Sequence, residues 1–295
     1  MQPTTWPRTV SNSDFAIVIP AFNEAQTIQQ VILESLMATP FVLVVDDGSN
    51  DGTGALAREV GALVIDNATN RGLGGTLRRG LEFVAAARLN YAVTIDGDGA
   101  HDATRVADMV ASHKKAAADL TLGVRFSDPT TCIAIPSSKR AANLVARHLF
   151  NSVLGMTLAD PLSGMRVFGG AFLNTNFEVD DFSCSIEFIK CALEQNLIIH
   201  EWPVPVRYDA VEILGTSRQE LLDLAKYAGR LMNPEHSDSL SVVVSKIENW
   251  LPIVFDCCGT IVIAHPLSER GLYIFQEQDA WYHALQGSRP DIKLR

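Results

Sequence analysis

The stretch Tyr91-Ala-Val-Thr-Ile-Asp-Gly-Asp-Gly-Ala-His101 decides the fold of this chain. Its apolar, β-branched first half predicts a buried strand, which stops abruptly at two carboxylates, Asp96 and Asp98. Ligands of a parallel sheet bind in the crevice at the carboxyl ends of its strands. Two neighbouring carboxylates repel each other unless a cation lies between them, and their hard oxygens suit Mg²⁺ or Mn²⁺. A diphosphate would complete the coordination, and the alternative interpretation is a polar turn after a core strand.

Apolar strands and helical segments alternate along the chain on both sides of this stretch. Strands are predicted at 15–20, 41–45, 62–65 and 91–95, with helices at 27–37, 54–60 and 76–88 between them. This alternation is typical of an α/β fold with a doubly wound, mostly parallel sheet. Right-handed crossovers place every strand-to-helix loop at one edge of such a sheet. The side chains expected to converge there are Asn23, Glu24, Asp46, Asp47, Asp96 and Asp98.

The second half of the chain extends the same domain and then adds an appendage. A helix is predicted at 103–115, a strand at 119–123, a loop at 160–166 that leads into Val167-Phe168, and helices at 185–194 and 221–232. The strand predicted at 197–206 contains Pro203 and Pro205, which favours an edge position. The predicted organisation is a tail at 1–13, a domain at 14–232, a linker at 233–239 and an extension at 240–295. The extension is expected to pack on the domain or to form a homo-oligomer contact.

Composition excludes several classes of function. The net charge of −10 argues against nucleic-acid binding, which needs a basic surface. Five cysteines without metal-type or disulfide-type spacing favour a reducing compartment. The sequence contains neither a signal peptide nor an apolar run long enough to span a bilayer. We therefore expect a cytoplasmic protein, with peripheral contact at the inner face of the membrane as the alternative.

Four ordered motifs together resemble those of the inverting family-two glycosyltransferases. They are Ile19-Pro-Ala-Phe-Asn-Glu24, Val45-Asp-Asp-Gly-Ser-Asn-Asp-Gly-Thr53, Asn70-Arg-Gly-Leu-Gly-Gly75 and Asp96-Gly-Asp98. Three later motifs resemble the dolichol- or polyprenol-phosphate mannosyl- and glucosyltransferase branch. They are Gly123-Val-Arg125, Asp160-Pro-Leu-Ser-Gly-Met-Arg166 and Val204-Pro-Val-Arg-Tyr208. The resemblance covers about residues 14–232 and implies the GT-A fold and a nucleotide-sugar donor, such as a GDP- or UDP-sugar.

The resemblance also implies a set of donor and metal ligands. Asp96 and Asp98 would hold Mg²⁺ or Mn²⁺ on the donor diphosphate. The family often continues this motif with Gln-His, whereas this chain reads Ala100-His101, so His101 becomes a candidate third ligand. The alternative is a histidine that packs beside the loop. The implied donor-binding residues are Pro20, Ala21, Glu24, Asp46, Asp47, Asn70, Gly74, Asp96, Arg125 and Arg218.

The resemblance implies a single in-line displacement that inverts the anomeric carbon. The implied catalytic residues are Asp98, Asp160 and Arg166, with Arg166 suited to phosphate contact. A lipid-phosphate acceptor is already an anion and needs no general base, whereas a hydroxyl acceptor needs one, for which Asp160 is the candidate. Asp51 and Glu187 are expected to be structural.

We therefore expect a hexosyltransferase acting on a polyprenyl phosphate or another membrane-associated acceptor. Basic residues interleaved with apolar ones at 139–154 fit a helix at a lipid surface, and the alternative is an ordinary core-facing helix. Two other functions stay open at this point. One is the same chemistry on a soluble hydroxyl acceptor, and the other is a sugar-nucleotide-binding protein without turnover.

Overall fold

The computed structural model describes two stretches of the chain continuously, 13–125 and 154–207. It also describes Trp6, residues 143, 146–147, 150–151, 223–224, 227 and 231, and the backbone of three short strands near the C-terminus. Contacts divide the chain into two units. The first comprises Met1–Ser127 and Ala159–Ile213, and the second comprises Asp128–Leu158 and Leu214–Arg295. The predicted boundaries at 232 and 239 lie outside the described residues and stay a prediction.

The first unit is built on a seven-stranded sheet with the order β3-β2-β1-β4-β6-β5-β7. Its strands are β1 Phe15–Ala21, β2 Val42–Asp46, β3 Leu63–Asp66, β4 Tyr91–Thr94, β5 Leu120–Val124, β6 Arg166–Gly169 and β7 Ile199–Pro203. Most neighbours are parallel, as predicted. Strand β6 is antiparallel to both β4 and β5. Strand β7 lies at the sheet edge, which confirms the position inferred from its prolines.

Helices connect these strands much as the apolar spacing predicts. They are α1 Ile28–Leu36, α2 Thr53–Glu59, α3 Gly72–Ala86, α4 Val106–Lys115, α5 Gly170–Leu173 and α6 Cys184–Glu194, with a 3₁₀ turn at Ala103–Arg105 before α4. Helix α1 buries Ile28, Val31 and Ile32, which lie three and four residues apart and so share one helix face. Helix α3 begins four residues earlier than predicted, because the glycines at 72–75 form its first turn.

The hydrophobic core of the first unit lies between the sheet and its helices. Its central side chains, including Ile17, Ile19, Val44, Val93 and Ile95, are completely buried and come from three adjacent strands. Each such side chain contributes about 1.5–3 kcal/mol by leaving water. This core fixes the carboxyl ends of β1, β2 and β4 relative to one another, and the polar loops of the candidate site follow those ends.

The second unit is described only in part. Residues 143, 146–147, 150–151 and 154 are helical, within the helix predicted at 139–154. The amide of Asn151 exchanges two hydrogen bonds with the backbone of Leu158, at 2.8 and 2.9 Å. Strands β8 Val254–Phe255, β9 Ile261–Ala264 and β10 Leu272–Phe275 form an antiparallel sheet in the order β10-β9-β8. Arg218 lies outside the described residues. So does most of the helix at 139–154 on which the lipid-facing interpretation rests.

No helix in the described part of the chain combines the length and the apolar character needed to cross a bilayer.

Candidate active site

The predicted convergence of polar loops at the sheet edge is present. Thr27 Oγ1 donates a hydrogen bond of 2.7 Å to the Gly97 carbonyl and lies 3.3 Å from Glu24 Oε2. These contacts join the loop after β1 to the loop after β4, so that Glu24 lies beside Asp96 and Asp98. Pro20 and Ala21 form the end of β1 at the same place, and the Asp47 amide bonds the Ala21 carbonyl at 2.8 Å.

Three carboxylates lie together at this edge, and two of them, Asp98 and Asp96, perturb the third, Glu24. Burial, together with the negative charges of Asp98 and Asp96, raises the pKa of Glu24 from 4.5 to about 7, against the lowering effect of the hydrogen bond from Thr27. A carboxyl group with a pKa of about 7 is partly protonated at neutral pH, because burial and the neighbouring negative charges both disfavour its charged form. The edge therefore has the electrostatic character of a cation site.

His101 lies beside one of these carboxylates, that of Asp96. Its ring is 2% exposed, Nε2 lies 3.5 Å from Asp96 Oδ2, and neither ring nitrogen has a hydrogen-bond partner among the described residues. Backbone contacts hold the loop in place, since His101 pairs with Val206 and the Arg207 amide bonds the Ala100 carbonyl at 2.8 Å. Buried polar atoms normally have partners, so this ring fits a site that is completed by another group.

The protein ligands do not form a complete metal site by themselves. Among the described residues, no three His, Cys, Asp or Glu side chains are grouped so as to hold an ion. Asp98 Oδ1 accepts a hydrogen bond of 2.9 Å from the Ala100 amide, which tightens the turn between the two carboxylates and His101. A cation here would need oxygens from a bound ligand to fill its coordination shell.

The pair Asp46 and Asp47, implied above as donor-binding residues, bonds other parts of the protein. Asp47 is 4% exposed and accepts three hydrogen bonds, from Asn67 Nδ2 at 2.7 Å and from the amides of Arg71 and Gly72 at 2.8 and 3.0 Å. Asp46 is also buried, and its Oδ1 accepts the Ser49 amide at 2.9 Å. Asp47 thus caps the first turn of α3, where it satisfies amides that would otherwise lack partners.

The glycine turn at the start of α3 packs against protein, which corrects the prediction that Gly74 approaches the donor. The Gly74 amide donates to the Asp180 carbonyl at 2.8 Å. A Cβ atom at Gly74 would lie well under 3.0 Å from the Val179 carbonyl oxygen, so the glycine is required by a neighbouring segment of chain. Asn70 is exposed, and its side-chain oxygen accepts the Gly72 amide at 3.0 Å.

Glu187 and Asp51, which were expected to be structural, both bond the protein backbone. The Glu187 carboxylate accepts the amides of Glu178 and Val179 at 3.0 and 2.9 Å, and so fixes the segment that covers the glycine turn. Asp51 accepts the Thr53 amide at 3.0 Å and the Ala25 amide at 3.0 Å, and so links the starts of α2 and α1.

The prediction that Asp160 is a catalytic base and Arg125 a donor ligand is corrected by their contact with each other. Asp160 is completely buried, and its two oxygens accept Arg125 Nε and Nη2 at 2.7 and 2.8 Å. The Arg125 amide also donates to Asp160 Oδ2 at 3.1 Å. A completely buried carboxylate whose two oxygens both bond a guanidinium is not placed to meet an acceptor hydroxyl.

Arg166 is likewise anchored inside the protein, contrary to the prediction that it contacts phosphate. Its guanidinium is buried and donates to three backbone carbonyls, those of Pro161, Ser163 and Ser185, at 2.8, 2.8 and 2.9 Å. Burial lowers its pKa from 12.5 to about 10, so the side chain remains charged at neutral pH. Arg166 therefore fixes the loop at 160–166 to the start of α6.

Sequence reasoning missed two residues that connect the loops, Thr27 and Asn67, and named Asn23 without its partners. Thr27 bridges the first and fourth loops, and Asn67 positions Asp47. Asn23, in a left-handed conformation at φ 58°, exchanges hydrogen bonds with Ser49 and Asn50 across the first two loops. A threonine before a helix and an asparagine in a turn are recognisable locally as capping or turn residues. Their partners lie about twenty or more residues away, and no local pattern names them.

Known proteins are similar to this chain in sequence and in fold. The model of glycosyl transferase family 2 matches residues 16–175. The glycosyltransferase AglJ of Haloferax volcanii is 33% identical over 179 residues, which are 60% of this chain and 57% of that protein. The polyprenol monophosphomannose synthase of Mycolicibacterium smegmatis is 29% identical over 163 residues, which are 52% of this chain and 60% of that protein.

A solved structure confirms the predicted GT-A fold. Glucosyl-3-phosphoglycerate synthase from Mycobacterium tuberculosis, crystallised with Mn²⁺ and uridine-diphosphate-glucose, superposes with a TM-score of 0.60. The match covers 76% of this chain and 81% of the other, at 21% identity.

Proposed function

We propose that this chain, which belongs to glycosyltransferase family 2, transfers a hexose from a nucleotide-diphospho-sugar to a polyprenyl phosphate at a membrane surface. The donor class follows the resemblance of the site motifs and is in keeping with the UDP-glucose complex of the structural neighbour. The acceptor class is supported by the name of the polyprenol monophosphomannose synthase relative. The finer assignment of the acceptor rests on the chemistry of the site.

The buried pair of Asp160 and Arg125 is the observation that carries the choice of acceptor. A hydroxyl acceptor must lose a proton to a base, and the base suggested by the sequence is held inside this pair. A phosphate oxygen needs no base. It forms the new bond to the anomeric carbon with its own electron pair, while the bond from that carbon to the diphosphate breaks and its electrons leave with the nucleoside diphosphate. Attack from the face opposite the leaving group inverts the anomeric carbon.

Asp96 and Asp98 are the residues that we expect to hold Mg²⁺ or Mn²⁺, with His101 beside Asp96. The raised pKa of Glu24 and the unpartnered ring of His101 support a cation at this edge. When bound, the ion neutralises negative charge on the departing diphosphate. The chain's own part is to orient the two carboxylates and to hold the donor along the ends of β1 and β4.

A transfer assay with matched acceptors tests the proposal. Purified protein is incubated with labelled GDP-, UDP- and dTDP-sugars, Mn²⁺, and either undecaprenyl phosphate or undecaprenol in detergent. We expect label in the lipid fraction with one class of nucleotide and with the phosphate alone, because the alcohol requires a base. The anomeric coupling of the product reports inversion. Equal transfer to the alcohol, or transfer only to soluble sugars, would contradict the proposed acceptor.

A further inference from the structure

The loop at 160–166 is one of the most firmly anchored segments near the site. Asp160 is held by Arg125, and the Arg166 guanidinium bonds the carbonyls of Pro161 and Ser163 within the same loop. Between these anchors, the Gly164 carbonyl accepts a hydrogen bond of 2.8 Å from Thr94 Oγ1. The backbone on both sides of Gly164 is therefore fixed by hydrogen bonds to buried side chains.

Gly164 lies directly against the Asp96 carboxylate. A Cβ atom at position 164 would come closer than 3.0 Å to Oδ1, Oδ2 and Cγ of Asp96, a separation that real Cβ atoms essentially never show. Those three atoms are its nearest neighbours. Gly164 does not adopt a positive φ, so its backbone conformation does not itself require glycine. What excludes a side chain here is the carboxylate of Asp96.

We infer that Gly164 is a positioning residue for Asp96, and that the loop at 160–166 is a rigid support that sets the direction of this carboxylate. The inference rests on the proposed function, in which Asp96 holds the cation. Because the loop is anchored and the Asp96 side chain is 35% exposed, a methyl group at 164 would displace the carboxylate rather than the loop. Arg125, Asp160 and Arg166 then act through Gly164, since their bonds hold the loop in which it lies.

The test compares two glycine-to-alanine variants in the same unit. Gly164→Ala introduces the clash, whereas Gly170→Ala is the matched control, since its Cβ would meet only the Asn90 carbonyl at an ordinary 3.6 Å. Mn²⁺ binding is measured by electron paramagnetic resonance in the presence of UDP and, separately, of GDP. Misdirecting a metal ligand through its supporting shell weakens metal affinity about 10- to 100-fold. We expect this loss in Gly164→Ala, with a melting temperature similar to that of Gly170→Ala.

The Asp96→Ala background separates positioning from general damage. There the clashing atoms are gone, so adding Gly164→Ala should change neither Mn²⁺ affinity nor melting temperature further. If Gly164→Ala alone fails to fold, the double variant should fold, and failure of both would overturn the inference. If Gly164→Ala binds Mn²⁺ like the parent while Asp96→Ala does not, the inference about Gly164 is overturned and the proposed metal site stands. No Mn²⁺ binding by the parent with either nucleotide would overturn the proposed metal site and the inference with it.

Discussion

The guanidinium of Arg125 and the carboxylate of Asp160 form a buried two-point ion pair with N–O distances of 2.7 and 2.8 Å. Arg125 leads out of β5 and Asp160 begins the loop before β6, so the pair ties together two segments that are 35 residues apart. The geometry assigns Asp160 to the architecture of the site. Mutation of Asp160 can therefore distinguish a structural role from that of a catalytic base.

Asp160→Asn should destabilise the protein strongly. It leaves the Arg125 charge largely buried without its counter-charge, and removing one partner of a buried pair costs about 3–5 kcal/mol in the free energy of unfolding. Urea denaturation measures this loss. The double variant Arg125→Met/Asp160→Leu should recover part of it, since apolar replacement of both partners is often tolerated. A stable Asp160→Asn variant whose turnover alone falls would instead indicate a catalytic base.

Arg166→Lys should lower stability, and any fall in donor affinity should accompany that loss and not occur alone. A lysine ammonium cannot bond the three carbonyls that the planar guanidinium bonds, and each buried carbonyl left without a donor costs about 1–3 kcal/mol. The expected loss is about 2 kcal/mol or more in chemical denaturation. Arg88→Lys, at an exposed arginine, is the control and should behave like the parent. A selective rise in the donor KM with unchanged stability would restore the phosphate-binding interpretation of Arg166.

The alternation of strands and helices was sufficient to predict the parallel half of the sheet. Because right-handed crossovers bring the loops to one edge, the meeting of Glu24, Asp96 and Asp98 was also predictable. The direction of β6 was not, since the apolar pattern of a strand is the same whichever way the strand runs.

The motifs identified residue types correctly but not what those residues bind. Asp47, Gly74, Asp160 and Arg166 have the chemistry that a donor site needs, yet each is used by the protein itself. Whether a carboxylate is exposed or buried depends on partners that are distant in sequence. For this reason the motifs predicted which residues lie at the sheet edge but not which of them bond the protein itself, and the metal-binding role of Asp96 and Asp98 stays a prediction.

The stability of the metal-free protein should depend on pH through Glu24. The folded-state pKa of about 7 is above the ordinary 4.5, so the folded protein binds the proton more tightly than the unfolded chain does. The contribution is therefore fully present below pH 4.5 and is lost as the pH rises through about 7. In EDTA, the melting temperature of the parent should fall across this window relative to Glu24→Gln. Glu82→Gln, at an exposed carboxylate, should keep the parent's slope. Parallel curves for the parent and Glu24→Gln would contradict the assignment.

Two adjacent glycines in the first turn of α3 should respond differently to alanine. At Gly74 a methyl group would meet the backbone carbonyl of Val179, which cannot rotate away as a side chain can. Overpacking of this kind costs about 1–3 kcal/mol. At Gly75 the nearest atoms belong to the side chains of Asp180 and Arg71, at 3.1 and 3.2 Å, and alanine favours the helix by about 1 kcal/mol over glycine.

Guanidinium denaturation should therefore rank Gly75→Ala close to the parent and Gly74→Ala clearly below it. A donor-binding role for Gly74 makes a different prediction, namely normal stability with weakened nucleotide binding, because the methyl group would then meet the ligand and not the protein. Nucleotide-induced thermal shifts measured on both variants decide between these outcomes. We expect Gly74→Ala to lose stability in the absence of nucleotide, since the clash with Val179 exists before any donor arrives.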